Sequence, residues 1–326
     1  MAHINESQVE RVAQAMRDLL DAGRGLNFYS FHVGGKEIIA DDMYPRINHP
    51  AAIDFFFFVC LHQYGFWEGD ERGYVRPLTG VLGGNTAKGS ELIWKSAMLA
   101  LRRNPDIFSP SRLAEIDSFT RFSEIFHDDH GPIPFADPDT RVTITQRYAT
   151  WFLWQNISPS KFVKEANEED EPLRRFRAWL WEVAGYDKDP LEKKNLLLAM
   201  ALAERPERFL WVTDPYNWSP IIDYHLMRLS LRLGIVELSA DQVEQNKSRA
   251  WVDANSECDI REAVYTAVES IINKSGRSMS FIDQTMWMAR KYCPEMSVPN
   301  CGDCIFNTVC AHRIELFQPV FRTTAY

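Results

Sequence analysis

Hydrophobic side chains recur along this chain mostly at the three- and four-residue spacing of α-helices. In residues 6–22 the apolar positions from Val9 to Leu20 fall on one face, which predicts an amphipathic helix. Ala51–Trp67 is apolar on every face, with four consecutive phenylalanines at 55–58, and predicts a helix buried in the core. Alternating, strand-like stretches are scarce, so the sequence predicts an all-α fold.

The same periodicity predicts further helices at residues 88–103, 110–126, 140–156, 158–166, 171–184, 191–203, 221–234, 262–274 and 280–292. Residues 25–48 are expected to be irregular or partly extended, with a turn at Gly34-Gly35. Gly80–Gly84 lacks the Gly-Lys-Ser/Thr ending of a phosphate-binding loop and is interpreted as a plain loop. His127–His130 sets potential metal ligands side by side, where they cannot converge on one ion, and is interpreted as a turn.

Composition and charge are those of an ordinary globular protein. The 326 residues are 45% hydrophobic and 25% charged. A net charge of −9 argues against coating nucleic acid by bulk attraction, although it is compatible with a local basic groove. The sequence shows neither a membrane-spanning apolar run nor a secretory signal, so we expect a cytoplasmic protein without membrane contact. The oligomeric state is left open.

Four of the six cysteines crowd into one segment, spaced as Cys293-x7-Cys301-x2-Cys304-x5-Cys310. In a chain without an export signal, such crowding indicates metal binding rather than disulfides. Four thiolates suit either a tetrahedral zinc ion or a 4Fe–4S cluster. The single tight pair and the staggered outer cysteines favour the 4Fe–4S cluster, with zinc as the alternative cofactor.

This segment resembles the iron–sulfur loop of endonuclease III-like DNA glycosylases, of the helix-hairpin-helix superfamily, with one extra residue in the first gap. Upstream, Ile222–Arg228 resembles that family's Val-Asp-Thr-His segment, and the resemblance places the catalytic aspartate at Asp223. His225 and Arg228 then occupy neighbouring positions that face the cleft and bind substrate. Residues 189–196 lack the two glycines of the family's hairpin, which favours a monofunctional glycosylase.

Basic residues complete this first resemblance. In the family the cluster folds a loop whose basic residues meet the DNA backbone, and the residues flanking the loop here imply a local positive patch. These residues are Arg290, Lys291, His312 and Arg313. Lys193 and Lys194 are the candidates for the lysine of the strand-nicking members, and the alignment does not choose between them.

A second resemblance involves Ala52–Trp67, which is similar to the queuosine-salvage N-glycosylase family, as is the pair Asp223-Tyr224. Both families place pocket residues after this helix. The corresponding substrate-binding candidates are Gln63, Tyr64, Phe66 and Trp67.

Together the resemblances imply a two-lobed, DNA-glycosylase-like helical fold. Residues 50–212 would form a helical barrel lobe, and residues 1–49 plus 213–326 a second lobe carrying Asp223 and the cluster loop at 293–310. They imply a DNA N-glycosylase that flips out a modified or damaged base and hydrolyses its N-glycosidic bond, in base excision or anti-phage defence. Hypermodified phage bases are among the substrates implied.

The chemistry explains why an aspartate matters. Cleavage passes through an oxocarbenium-like sugar, and a carboxylate beneath the anomeric carbon stabilises its positive charge. Asp223 suits this role, although an aspartate that starts a helix also serves as a cap. Two other functions remain open: a nucleoside or nucleotide N-glycosylase of the queuosine-salvage type, and a catalytically inactive nucleic-acid-binding protein.

Overall fold

The computed structural model describes residues 1–21, 31–33, 36–38 and 40–326. Its helices are, in chain order, α1 (Glu6–Asp21), α2 (Ala52–Leu61), α3 (Ser90–Arg103), α4 (Pro110–Leu113), α5 (Phe119–Ser123), α6 (Pro138–Gln155), α7 (Pro159–Asn167), α8 (Pro172–Leu180), α9 (Lys193–Glu204), α10 (Tyr224–Leu233), α11 (Ala240–Ser248), α12 (Ala254–Ser275) and α13 (Met279–Ala289). The helices dominate, which confirms the prediction of a mostly helical chain.

The strands are short. They are β1 (His3–Ile4), β2 (Phe31–Val33), β3 (Lys36–Ile38), β4 (Trp67–Gly69), β5 (Tyr74–Pro77), β6 (Thr79–Leu82), β7 (Asn85–Lys88), β8 (His127–Asp128), β9 (Gly131–Pro132) and β10 (Val236–Glu237). Antiparallel pairs form between β1 and β10, β2 and β3, β6 and β7, and β8 and β9. None of these pairs exceeds four residues per strand, so each joins only short neighbouring segments and none forms an extended sheet.

Several elements differ from the prediction. The predicted helix at 110–126 is split into α4 and α5, and α11 was not predicted. Gly80–Gly84 is part of the β6–β7 hairpin rather than a plain loop. The turn predicted at His127–His130 is confirmed, because it joins β8 to β9. The turn predicted at Gly34-Gly35 lies outside the described residues.

The chain forms two compact units. Unit 1 comprises Met1–Phe28, Gly69–Arg76 and Ser219–Arg322, and unit 2 comprises Tyr29–Glu68, Pro77–Trp218 and Thr323–Tyr326. These bounds differ from those of the predicted lobes: residues 40–49, 213–218 and 323–326 belong with unit 2, and the short segment 69–76 belongs with unit 1. Within the described residues, none of the helices combines the length and apolar character that a bilayer crossing requires.

Helix α2 is the centre of unit 2. Its four phenylalanines are fully buried, and the ring of Phe57 meets three other rings edge-on at 5.7–5.9 Å. Burying each such side chain contributes about 1.5–3 kcal/mol. A helix that is apolar on every face is stable only when other elements surround it, as they do here.

The predicted helix 51–67 is wrong in its C-terminal part, because α2 ends at Leu61. Buried cations bind three carbonyl groups just beyond this end. The Arg141 guanidinium donates to the His62 and Tyr64 carbonyls at 3.1 and 2.7 Å, and the Lys193 ammonium donates to the Gln63 carbonyl at 2.6 Å. Positive charge at a helix C-terminus also complements the helix dipole.

Candidate active site and four-cysteine loop

Asp223 is the N-cap of α10. Its Oδ1 accepts hydrogen bonds from the backbone N–H groups of His225 and Leu226, both at 2.9 Å. The side chain is 9% exposed. Within the described residues, both hydrogen bonds to this carboxylate go to Oδ1, which leaves Oδ2 for another partner. The start of the helix therefore fixes one carboxylate oxygen.

His225 and Arg228 lie in a buried polar network of unit 1. The Arg228 side chain is only 2% exposed and donates to Glu295 Oε1 at 3.4 Å and to Gln318 Oε1 at 2.8 Å. The Tyr74 hydroxyl donates a hydrogen bond to the other Glu295 oxygen, Oε2, at 2.9 Å. A phosphate contact by Arg228 would require these bonds to break, so its substrate-binding role stays a prediction.

The network also fixes the His225 tautomer. Arg228 approaches His225 Nδ1 at 2.9 Å. Because a guanidinium only donates, Nδ1 accepts and the imidazole proton is on Nε2. The Glu295 carboxylate lies 3.4 Å from the same nitrogen, and this contact becomes an ion pair only when His225 is protonated. Arg228 and Glu295 therefore orient the His225 ring, two residues after the candidate catalytic aspartate.

The other end of α10 contacts the cysteine loop. Arg232 Nη1 donates to Cys293 Sγ at 3.2 Å and to the Pro294 carbonyl at 2.9 Å. The loop also passes the helix end, where the Ala311 N–H donates to the Leu233 carbonyl at 3.2 Å. One helix thus carries Asp223 at its start and the loop at its end.

All four cysteines of the loop line one recess of unit 1, hereafter the four-cysteine recess, with an empty volume of about 360 Å³ that includes its mouth. Backbone N–H groups reach the sulfurs, as where His312 donates to Cys310 Sγ at 3.3 Å. Burial raises the pKa of Cys310 to about 11 and also raises that of Cys304, and the neighbouring thiols add to both effects. A bound metal would have to displace these protons.

The arrangement of the thiols bears on which metal centre fits them. Among the described residues, no three His, Cys, Asp or Glu side chains are arranged as ligands of one metal ion. The four thiols nevertheless face a common recess. The 4Fe–4S cluster, with zinc as its alternative, therefore stays a prediction.

The cations that flank the loop are mixed in their exposure. Lys291 and His312 are exposed, and His312 Nε2 lies 3.0 Å from Asn307 Oδ1. Arg313 pairs with Glu315 at 2.7 Å, and the Arg290 guanidinium lies 3.1 Å from the centre of the Trp287 ring. Their contact with DNA stays a prediction.

The predicted pocket residues of unit 2 are buried, with exposures of 1% for Gln63, 0% for Tyr64, 3% for Phe66 and 8% for Trp67. Gln63 Oε1 accepts a hydrogen bond from Ser90 at 2.6 Å, and the Arg141 guanidinium lies 4.0 Å from the Tyr64 ring centre. Asp223, His225 and Arg228 belong to unit 1 instead. The substrate-binding assignment of these four residues stays a prediction.

Lys193 and Lys194 lie in the first turn of α9, also buried in unit 2. Lys194 Nζ donates to the Leu61 carbonyl at 3.4 Å, two residues before the Gln63 carbonyl that Lys193 binds. Burial, and then the adjacent Lys193 charge, lower the pKa of Lys194 to about 7. Both lysines cap the end of α2, which is a structural role.

Sequence reasoning missed Glu295, Tyr74 and Arg232. A usable signal existed for two of them. Arg232 follows His225 and Arg228 at helical spacing on one face of α10, and Glu295 lies two residues after a candidate ligand. Tyr74 has no such signal, because it is 221 residues from Glu295.

No protein-family model matches this chain, and neither does any of the curated proteins compared with it.

Proposed function

We propose that this protein is a DNA N-glycosylase that removes a modified or damaged base by hydrolysis, with Asp223 as the catalytic carboxylate. One observation carries the proposal: α10 holds one oxygen of Asp223 at its first turn and contacts a four-cysteine loop at its last. That combination matches the resemblance found in the sequence.

Asp223 has the properties that the reaction requires. Two backbone N–H groups hold Oδ1, so the carboxylate is oriented before substrate binds. Oδ2 is left to face the positive charge that develops on the sugar as the base departs, or to orient the attacking water. The reaction is a hydrolysis: water adds to the anomeric carbon, and the departing base takes up a proton.

The cysteine loop fits a 4Fe–4S cluster. Cys293, Cys301, Cys304 and Cys310 would be its ligands, and the N–H groups of Arg232 and His312 that reach the sulfurs are the kind of partner that tunes such clusters. When bound, the cluster would supply structural support for the loop rather than chemistry at the base.

The target nucleotide must rotate out of the duplex before a carboxylate can reach its sugar. We propose that the target nucleotide is flipped out of the duplex before the bond is cleaved. The exposed Lys291 and His312 beside the loop would meet backbone phosphates.

The test is base release by the cluster-loaded protein from DNA carrying modified bases, compared with release from free nucleosides. Asp223→Asn keeps an efficient helix cap but removes the charge. We expect it to lower the rate of base release from DNA by about 10²–10⁴-fold.

A matched control is available in the same unit. Asp253 caps α12 in the same way, with Oδ1 accepting from the N–H groups of Asn255 and Ser256 at 2.8 and 2.9 Å. Asp253→Asn should leave the rate unchanged. Full activity of Asp223→Asn would refute the assignment, and release from nucleosides alone would favour the salvage-type enzyme.

A further inference from the structure

A polar stripe on α10 faces the start of the cysteine loop. His225, Arg228 and Arg232 are three and four residues apart, so they share one face of the helix. Along this face they contact the Cys293–Glu295 segment: His225 and Arg228 approach Glu295 Oε1 at 3.4 Å, and Arg232 binds Cys293 and Pro294. Side chains from the first to the last turn of α10 therefore contact the three consecutive residues 293–295.

Glu295 is tied closely to the first candidate ligand. Only Pro294 separates it from Cys293, and the proline ring fixes one backbone dihedral of this link. A shift of the Cys293 backbone is therefore expected to move the Glu295 backbone as well.

The other side of Glu295 is anchored as well. Its Oε2 accepts a hydrogen bond from the Tyr74 hydroxyl. Its partner Arg228 also donates a hydrogen bond to Gln318 Oε1. Glu295 is 6% exposed and Arg228 2%, so water does not compete for these bonds. A buried carboxylate with these partners has one well-defined position.

We propose that Glu295 is a positioning residue that couples the four-cysteine loop to the first turn of α10, and through it to the Asp223 carboxylate. The catalytic part of this inference rests on the proposed function. The mechanical part does not, because it concerns how firmly the Asp223 cap is held.

The cap itself provides the readout. The N–H groups of His225 and Leu226 are the ones that Asp223 binds, and their hydrogen–deuterium exchange reports the opening of this turn. We expect Glu295→Ala to speed exchange in residues 222–228 about tenfold, which corresponds to about 1.4 kcal/mol of local stability. Residues 252–258 contain the matching cap of α12 and should exchange at the unchanged rate.

Two further variants extend the test. Tyr74→Phe removes one bond to Glu295 without a change of charge, and should speed exchange at 222–228 by a smaller factor. Cys301→Ser perturbs the loop beyond the Cys293–Glu295 segment, and should also speed exchange at 222–228. Unchanged exchange there in all three variants, or equal increases at 222–228 and 252–258, would overturn the coupling.

Activity separates this inference from the proposed function. If base is released, Glu295→Ala should lower kcat with KM unchanged, because it disturbs the orientation of Asp223 rather than substrate binding. Release that depends on Asp223 but is unaffected by Glu295→Ala would overturn the positioning role alone. If no base is released by any form, the proposed function fails, and the exchange data still decide the coupling.

Discussion

The buried pair of Arg228 and Glu295 gives the sharpest stability prediction. Arg228→Met removes the guanidinium and keeps most of the side-chain volume. Glu295 then retains only the Tyr74 hydroxyl among its hydrogen-bond donors, and Gln318 Oε1 loses its charged donor. The Glu295 carboxylate is then buried without the Arg228 cation.

Removing one partner of a buried ion pair costs about 3–5 kcal/mol, because the remaining charge stays desolvated. Arg228→Met should therefore lower the free energy of unfolding by about this amount. In a domain of about 150–250 residues, each kcal/mol of lost stability lowers the melting temperature by about 2–4 °C. The melting temperature of the variant should therefore fall by roughly 6–20 °C. Replacing both partners with Met should recover much of the loss, since an apolar pair carries no unpaired charge.

The assay is urea unfolding followed by circular dichroism, on proteins with equal cofactor content. Lys274→Met is the control in the same unit. Lys274 pairs with Glu10 at 3.0 Å, a shorter distance than in the buried pair, but the two side chains are 38% and 54% exposed. Solvent screening limits the loss there to about 1 kcal/mol. Equal losses in the two variants, or strictly additive losses in the double variant, would refute the reasoning.

Three other changes have distinct expected outcomes. Gly234→Ala should cost about 1–2 kcal/mol in urea unfolding for the left-handed backbone (φ +77°) and more for displacing the loop, since the new Cβ would lie 2.7 Å from Ala311 Cβ. Asp54→Asn should raise the melting temperature near pH 8 but not near pH 4, because burial, and then Asp106, raise the pKa of Asp54 to about 6. Cys301→Ser should reduce bound iron and the brown colour measured by visible absorption.

The pH dependence has a definite sign. A carboxyl whose folded pKa lies above its ordinary value of 3.8 stabilises the fold while protonated, and this stability is lost as pH rises from about 4 to 6. The loss reaches about 3 kcal/mol. A gain from Asp54→Asn that is equal at both pH values would contradict this account.

Matched controls exist for the other two variants. Gly276 caps α12 at φ +65°, and a Cβ added there meets nothing within 4 Å. Gly276→Ala should therefore show only the backbone cost, and an equal loss in Gly234→Ala would argue against the contact with the loop. Cys258 lies on α12 outside the loop, so retention of iron should be unaffected by Cys258→Ser.

Much of the helical framework could be predicted from sequence, because amphipathic spacing and caps are local. The end of α2 could not. The apolar pattern continues past Leu61, whereas the carbonyls just beyond the helix end bind Arg141 and Lys193. These residues lie 77–130 positions away, where periodicity carries no information.

Some features of the candidate site could also be predicted from sequence, and others could not. The cysteine spacing and the capping geometry of Asp223 are local and were open to prediction. The burial of Arg228 was not, because it depends on Glu295 and Gln318 arriving from 67 and 90 positions away. Local patterns reveal which chemistry is available, whereas the partners that hold a side chain come from tertiary packing.

The discontinuous make-up of unit 1 has a consequence for biosynthesis. Helix α1 packs against α12, with the Arg277 guanidinium donating to the Arg17 carbonyl from just beyond the end of that helix. About 250 residues separate the two helices. At ribosomal speeds of about 5–20 residues per second, α1 waits on the order of 10–50 s for its partner. Its apolar stripe, which includes Val9 and Met16, lacks its α12 partner during that interval.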